Sequence, residues 1–179
     1  MAIATPHDLP TAGDRPATDE RPLSLRLLAV EPDRLRDPAY QAYLILRTAF
    51  VAAPILFGVD KFFNWMTDWP QYLWSGFPHF LGVSPQNFMY GVGVIEIVAG
   101  VGVLVLPRLA PYVVAAWLGG IITNTIILSI ATGGHTHVFW DIALRDFGSL
   151  LAALALARLA AAFAPKRLFH SRNAADTRP

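Results

Sequence analysis

The chain has no cysteine among its 179 residues. This absence excludes disulfide relays, thiol catalysis, and zinc or iron–sulfur sites with cysteine ligands. Any redox role would need a bound cofactor or a partner protein. The 14 lysines and arginines nearly balance the 13 aspartates and glutamates, so there is no basic stripe to meet a phosphate backbone, and we expect no nucleic acid partner.

Charge is scarce in the middle of the chain. Most charged residues lie before residue 40 or after residue 165, and the mean hydropathy is +0.43, which is unusual for a soluble protein. We expect a membrane domain at residues 39–165, a disordered or interfacial tail at 1–38 and a basic tail at 166–179. Within the first tail, residues 22–30 fit either a short interfacial helix or a plain linker.

Four apolar stretches are long enough to cross a bilayer, because about 20 helical residues at about 1.5 Å each span about 30 Å of hydrocarbon. The sequence therefore predicts an all-α membrane protein, a four-helix bundle with spans at about 40–63, 87–106, 109–131 and 141–163. The short turn after residue 106 makes the second and third spans antiparallel neighbours. The segment at 64–85 is rich in aromatic residues and lacks Lys and Arg, which suits an interfacial segment with a short helix.

The basic residues of the loops and tails lie at one membrane side only. They precede the first span, lie in the second turn and follow the fourth span: Arg26, Arg34, Arg36, Arg108, Lys166, Arg167 and Arg172. Basic residues near span ends favour the cytoplasm. We therefore predict that both termini are cytoplasmic and that the aromatic loop and the loop with His135 and His137 lie outside.

Glu96 lies in the middle of the second span. An ionisable group at this depth is expensive and usually faces protein or water. Gly93 and Gly100 share its face and let a second helix come close, so we expect Glu96 to face the bundle. It is either a structural acid paired with a basic residue or part of a functional site.

The other spans also place polar groups in the outer half of the bundle. We predict a formally neutral cluster of two bases and two acids, Lys61, Arg145, Glu96 and Asp146, because buried charges avoid unpaired desolvation in this way. Asp60 points to a different side of the first span from Lys61.

Three more polar residues belong to the candidate set. Asn124 fits either a ligand site or structural hydrogen bonding in the third span. Arg47 lies nearer the inner leaflet, but its long side chain could extend toward Glu96. Asp141 lies one turn before Arg145, a spacing that supports a pair on the helix surface.

His135 and His137 alternate in the loop before the fourth span. They could hold a metal only with a third ligand, which the sequence does not identify, so we predict no metal site. None of the five histidines lies within a predicted span, where a membrane-embedded haem ligand would be expected, so no haem is indicated.

Three stretches resemble the DoxX family of small bacterial four-helix membrane proteins: GVDKFF, VIEIVAGVGVLVLPRLAP and FWDIALRDFGSLLAALAL. The resemblance covers about residues 43–160 and implies this fold and a multi-pass location in the bacterial plasma (inner) membrane. The family takes its name from a subunit associated with archaeal thiosulfate:quinone oxidoreductase; other members are linked to redox or oxidative-stress systems, and most have no established activity. The matching polar positions are Lys61, Glu96, Asp141, Arg145 and Asp146.

Three functions stay open. The leading one is an accessory or membrane subunit of a redox system, in which a quinone could contact Glu96, Lys61 and Arg145, because quinone reduction needs proton carriers and cations. The second is a non-catalytic assembly or stabilising subunit of a larger membrane complex. The third is a proton or small-solute pathway through Glu96 and Asn124. The expected partners are the lipid bilayer and other membrane or redox proteins; whether the chain is an enzyme stays open.

Overall fold

The computed structural model describes residues 30–133 and 137–164, with the backbone alone at 137 and 138. In this part of the chain every regular element is a helix. The five α-helices are α1 (Pro38–Phe63), α2 (Gly76–Leu81), α3 (Pro85–Val105), α4 (Ala110–Ala131) and α5 (His137–Phe163), with 3-10 turns at Pro32–Arg34 and Trp69–Tyr72. α1, α3, α4 and α5 are long and apolar enough to cross a membrane, which confirms the predicted four-span, all-α fold.

The structure shifts the predicted start of the fourth span, and it does not describe the predicted tails. α5 begins at His137 and not at Asp141, so the loop predicted before the fourth span is shorter, and its second histidine is the first helical residue. The tails before residue 30 and after residue 164 lie outside the described residues. They include the predicted interfacial helix at 22–30 and the basic segment at 166–179.

Local sequence signals fix the ends of α1 and α3. Asp37 accepts a hydrogen bond from the backbone N–H of Ala39 at 2.8 Å, and Ser84 accepts one from the N–H of Asn87 at 3.2 Å. Each capping residue is followed by a proline at the first helical position, where the missing N–H has no intrahelical partner to lose. Asn64 caps the C-terminal end of α1, and its left-handed backbone (φ 52°) turns the chain back over the helix end.

The bundle consists of two helix pairs. α1 packs along α3 and α4 packs along α5, and the pairs meet mainly where α1 contacts α5. α3 and α4, predicted as antiparallel neighbours, are adjacent through a narrower contact. We call the end with residues 64–84 the loop end, and the end with the α3–α4 connection the turn end.

α1 and α3 approach one another at glycines. A Cβ on Gly93 would lie 2.6 Å from the carbonyl oxygen of Gly58, and one on Gly58 would lie 2.6 Å from that of Gly93. At Gly100 a Cβ would lie 2.9 Å from the carbonyl oxygen of Val51. Since real Cβ atoms do not approach a carbonyl that closely, only glycine fits these positions. The predicted close approach at Gly93 and Gly100 is confirmed, and its partner is α1.

Aromatic side chains close the core at the turn end. Tyr40 and Tyr43 of α1 are each 3% exposed, and their ring centroids lie 5.4 and 6.0 Å from that of Phe163 in α5. The Tyr40 and Phe163 rings meet edge-on at 62°, an arrangement that aromatic rings prefer. The first turns of α1 are thereby fixed against the last turn of α5.

Candidate functional site

Lys61 and Glu96 form a buried ion pair between α1 and α3. The Lys61 Nζ donates to Oε2 of Glu96 at 2.6 Å, and the two residues are only 4% and 8% exposed. Gly58 and Gly93 lie three residues before them, so the close glycine contact brings the two side chains onto one interface. Glu96 therefore faces the bundle and has a basic partner there, as predicted.

The indole ring of Trp69 covers the ion pair. Lys61 Nζ lies 3.8 Å from the ring centroid, which is a cation–π contact. The indole N–H donates to Oδ2 of Asp60 at 2.7 Å. Trp69 belongs to the 3-10 turn that packs against α3, so one side chain joins Lys61 through its face and Asp60 through its edge.

Asp60 is 4% exposed and accepts hydrogen bonds from residues 64–84, which join α1 to α3 and which we call the connecting segment. The backbone N–H groups of Trp65 and Met66 donate to its Oδ1 at 3.1 Å each. With the Trp69 indole, these donors satisfy a carboxylate that would otherwise be costly to bury. Asp60 and Trp69 are absent from the predicted site residues. The signal that could have indicated them is an adjacent acid and base at a helix end, followed directly by a tryptophan-rich segment.

Asp146 of α5 joins the ion pair at longer range. It interacts electrostatically with both Lys61 and Glu96, and its side chain is 13% exposed. Arg145 contacts the cluster only at its edge: its side chain is 72% exposed, and its Nε lies 3.5 Å from Oδ1 of Asp146. The structure thus brings together three of the four predicted members, one base and two acids. The fourth member, Arg145, is ion-paired with Asp146 from the exposed side of α5, so the second base lies at the edge of the cluster.

Asn124 of α4 binds the backbone of the connecting segment. Its Oδ1 accepts from the N–H of Trp74 at 3.0 Å, and its Nδ2 donates to the carbonyl oxygen of Tyr72 at 2.7 Å. Both ends of the amide are engaged, which matches the structural interpretation of this residue. This contact fixes the segment immediately after Trp69 against α4.

Arg47 lies at the turn end and not beside Glu96. Its guanidinium donates to the carbonyl oxygen of Leu104 at 2.9 Å and lies 6.0 Å from the ring centroid of Tyr43. Arg108 donates similarly to the carbonyl oxygen of Ala164 at 2.7 Å. The last carbonyls of a helix lack intrahelical partners and carry partial negative charge, so both arginines cap a neighbouring helix.

Asp141 lies on the exposed face of α5. Its predicted pairing with Arg145 is not formed, since the carboxylate that contacts Arg145 in the structure is that of Asp146. In an ideal helix the i, i+4 spacing makes a pair available, but the guanidinium turns toward the adjacent residue. Asp141 is thus separate from the buried cluster.

No group of three or more His, Asp or Glu side chains within the described ranges is placed to hold a metal ion. His135 lies outside these ranges, and His137 is described by its backbone only. The two histidines therefore provide no ligand geometry.

The connecting segment also has an outward side with large apolar residues. Trp65 and Phe80 are 77% and 88% exposed, and the ring of Trp65 stacks on that of Phe63 at 4.5 Å. Exposed aromatic residues at a span end suit the headgroup layer. The segment thus has two sides: Trp69 packs on the ion pair, whereas Trp65 and Phe80 point outward.

The four spans and the buried, ion-paired centre define a multi-pass helical membrane protein. Residues 42–130 match the family model described as DoxX, which is about half of the chain. The chain belongs to the DoxX family, and the resemblance is confirmed over most of α1, the connecting segment, α3 and nearly all of α4. α5, with Arg145 and Asp146, lies outside the match. No curated protein and no solved structure is significantly similar to the chain.

Proposed function

We propose that this protein is a membrane subunit of a redox system and that it contacts a quinone head group at the Lys61–Glu96 ion pair. The observation that carries the proposal is the unused second oxygen of Glu96. Lys61 binds Oε2, whereas Oε1 forms no hydrogen bond to any residue in the described part of the chain, and the side chain keeps 11% exposure. A charged pair retained inside a membrane bundle is expensive, which favours a functional role.

The residues around the pair fit a quinone. An ammonium group has three donors, of which Lys61 uses one for Glu96, so another can donate to a ring oxygen and balance negative charge there. Glu96 can hold or release a proton at Oε1, and Asp146 adds a second acid within electrostatic range. Trp69 shields Lys61 on one side. A bound quinone would supply two-electron, two-proton redox chemistry.

Electron transfer belongs to a partner in this proposal. The chain has no cysteine, so it lacks a thiol that could exchange electrons. We assign the electrons to a redox enzyme with its own cofactor, and quinone positioning and proton handling to this chain. This division describes an accessory membrane subunit.

We further propose that the protein lies in the bacterial plasma membrane with both termini in the cytoplasm. Arg34, Arg36 and Arg108 all lie at the turn end, and basic residues favour the cytoplasmic side. The Lys61–Glu96 pair then lies toward the outer half of the bilayer.

Quinone binding is tested in lipid nanodiscs with a short-chain ubiquinone analogue. Because quinones quench tryptophan emission and Trp69 contacts Lys61, wild type should show saturable quenching that falls sharply in Trp69→Phe. Glu96→Gln and Lys61→Met should each weaken binding about tenfold, the loss expected for one charge-assisted hydrogen bond. Glu31→Gln is the matched control, since Glu31 forms an equally short ion pair with Arg34, 2.6 Å, on the surface. Unchanged affinity in folded Glu96→Gln and Lys61→Met proteins would contradict the proposal.

A second function, assembly of a larger membrane complex, is favoured by the self-contained nature of the pair. Both close partners of Lys61, Glu96 and Trp69, come from the same chain, so the cluster can act as an internal lock. Mild-detergent purification followed by mass spectrometry of proteins and lipids separates the two functions. Loss of a partner complex with unchanged quinone content in Glu96→Gln would favour assembly. We do not propose the solute pathway, because both ends of the Asn124 amide are bound to backbone.

A further inference from the structure

α5 carries charged residues on the face that it turns away from the bundle. The exposed residues of this face recur at alternating spacings of three and four: Asp141, Leu144, Gly148, Leu151 and Ala155. Leu144 and Leu151 are 72% and 51% exposed. We call this set the outer stripe of α5. Its spacing is that of a helix–helix seam, in which two helices cross at a shallow angle.

Arg145 lies beside the outer stripe, and its side chain is 72% exposed on a helix apolar enough to span a membrane. Its contact with Asp146 is a single one at 3.5 Å. Asp141, one turn earlier, forms no ion pair with any residue that the structure describes. Charges on the lipid-facing side of a span are expensive and normally meet a partner. This face of α5 is therefore unsuited to plain hydrocarbon.

We propose that a second copy of this chain packs against the outer stripe, with α5 parallel to its counterpart and Asp141 of each copy paired with Arg145 of the other. Two copies inserted with the same topology are related by a two-fold axis along the membrane normal, so the same stripe meets itself. Residues of the same number then lie at the same height on the two helices, so each long Arg145 side chain must reach one turn along the seam to meet Asp141 of the other copy, which gives two symmetry-related ion pairs.

The side-chain geometry supports this pairing. Helical side chains tilt toward the N-terminus, which directs Arg145 toward the level of Asp141 on a neighbouring parallel helix. Gly148 and Ala155 are small, so the two backbones can approach below the charged layer. The pairing neutralises four charges that would otherwise face lipid.

A lipid phosphate is the other chemistry that could satisfy Arg145. A phosphate would, however, leave the Asp141 carboxylate on the same face without a cation. The acid on the same face therefore favours a partner that brings its own cation. A second copy does so with the same residues.

The absence of cysteine makes single-cysteine cross-linking the direct test. Leu144→Cys in native membranes, oxidised with copper phenanthroline, should yield a disulfide-linked dimer. Leu56→Cys is the matched control: Leu56 is 61% exposed on α1 and lies seven residues from the loop end of its helix, as Leu144 does. Equal cross-linking at the two positions, or none at Leu144, would overturn the proposal.

The charge pairing is tested in the Leu144→Cys background. Arg145→Asp and Asp141→Arg should each lower the cross-linked fraction at least about threefold, in line with polar contacts between membrane helices. The double variant, with the charges exchanged, should restore it. Protein in the membrane fraction is quantified for every variant, and native mass spectrometry of the wild type should show two chains. Failure of the double variant to recover, or a monomer that retains anionic lipid dependent on Arg145, would overturn the proposal.

Discussion

The two buried acids of α1 and α3 are stabilised by different means. Glu96 shares one charge-assisted hydrogen bond with Lys61, whereas Asp60 is surrounded by neutral donors from the backbone and from Trp69. Loss of one neutral donor would remove only part of the hydrogen bonding that stabilises the buried Asp60 carboxylate. Loss of Glu96 removes the only carboxylate that contacts Lys61 within the described residues.

Glu96→Leu should destabilise the bundle by about 3 kcal/mol, because it leaves the Lys61 ammonium buried without its counter-charge. The measurement is the free energy of unfolding in detergent micelles. Glu31→Leu is the control, since its partner Arg34 lies at the same 2.6 Å but the side chains are about half exposed. A surface pair contributes about 1 kcal/mol or less.

The combination of Glu96→Leu with Lys61→Met should recover most of the lost stability, because no charge then remains unpaired. An unchanged unfolding free energy in the single variant, or a double variant no more stable than the single one, would show that the ion pair does not have this role.

The sequence was sufficient for part of this site. Glu96 in a glycine-flanked apolar run predicted an inward-facing acid, and Lys61 was the base at a compatible depth. Asp60 and Trp69 were missed because their contact depends on the left-handed turn at Asn64, which folds the segment back over the helix. Composition and helical periodicity describe the element to which a residue belongs, and they do not indicate where the following segment folds back onto that element.

At the scale of the helices, the glycines of α1 and α3 determine how closely these two helices can pack. The matched comparison is within one helix: a Cβ at Gly93 meets the Gly58 carbonyl at 2.6 Å, whereas one at Gly91 meets nothing within 4 Å. The tolerance of the two positions for a methyl group should therefore differ.

Gly93→Ala should cost about 1–3 kcal/mol of unfolding free energy, because α1 and α3 must separate to admit the methyl group. Gly91→Ala should be neutral or stabilising, since alanine has the higher helix propensity. Thermal unfolding of both variants in the same detergent measures the difference. Equal melting temperatures would show that the two helices are not in backbone contact.

The connecting segment depends on Asn124. Asn124→Ala removes the bonds to Tyr72 and Trp74 and should raise amide hydrogen exchange around Trp69–Trp74, because two backbone groups lose their partner. Thr123→Ala is the control, since Thr123 bonds only within its own helix, to the Gly119 carbonyl. Exchange that rises equally in both variants would argue against a specific role for Asn124.

The spans were predictable because apolar length is a strong signal. The start of α5 was not, since the residues from His137 to Trp140 include two aromatic residues shortly after a Gly-Gly pair in the sequence and equally suit an interfacial loop. The sequence also did not predict that α3 packs more extensively on α1 than on α4, because a short connection indicates adjacency and not the extent of contact.

At the scale of the whole molecule, the predicted orientation is open to a direct test. In the cysteine-free chain, Gln71→Cys at the loop end should react with a membrane-impermeant maleimide on intact cells. Asp33→Cys, at the turn end, should react only after permeabilisation, because the basic residues at that end favour the cytoplasmic side. Both positions are exposed, and labelling in detergent controls for reactivity. The reverse labelling pattern would show that the protein has the opposite orientation in the membrane.

The backbone contact between Gly58 and Gly93 has a mechanical consequence. Helices whose main chains touch cannot slide past one another without first separating, so we expect α1 and α3 to move together and any shear to fall between this pair and α4–α5. Lys61 and Glu96 both belong to the α1–α3 pair, whereas Asp146 belongs to the α4–α5 pair. A displacement of one half therefore leaves the 2.6 Å ion pair intact while it changes the electric field that Glu96 experiences from Asp146.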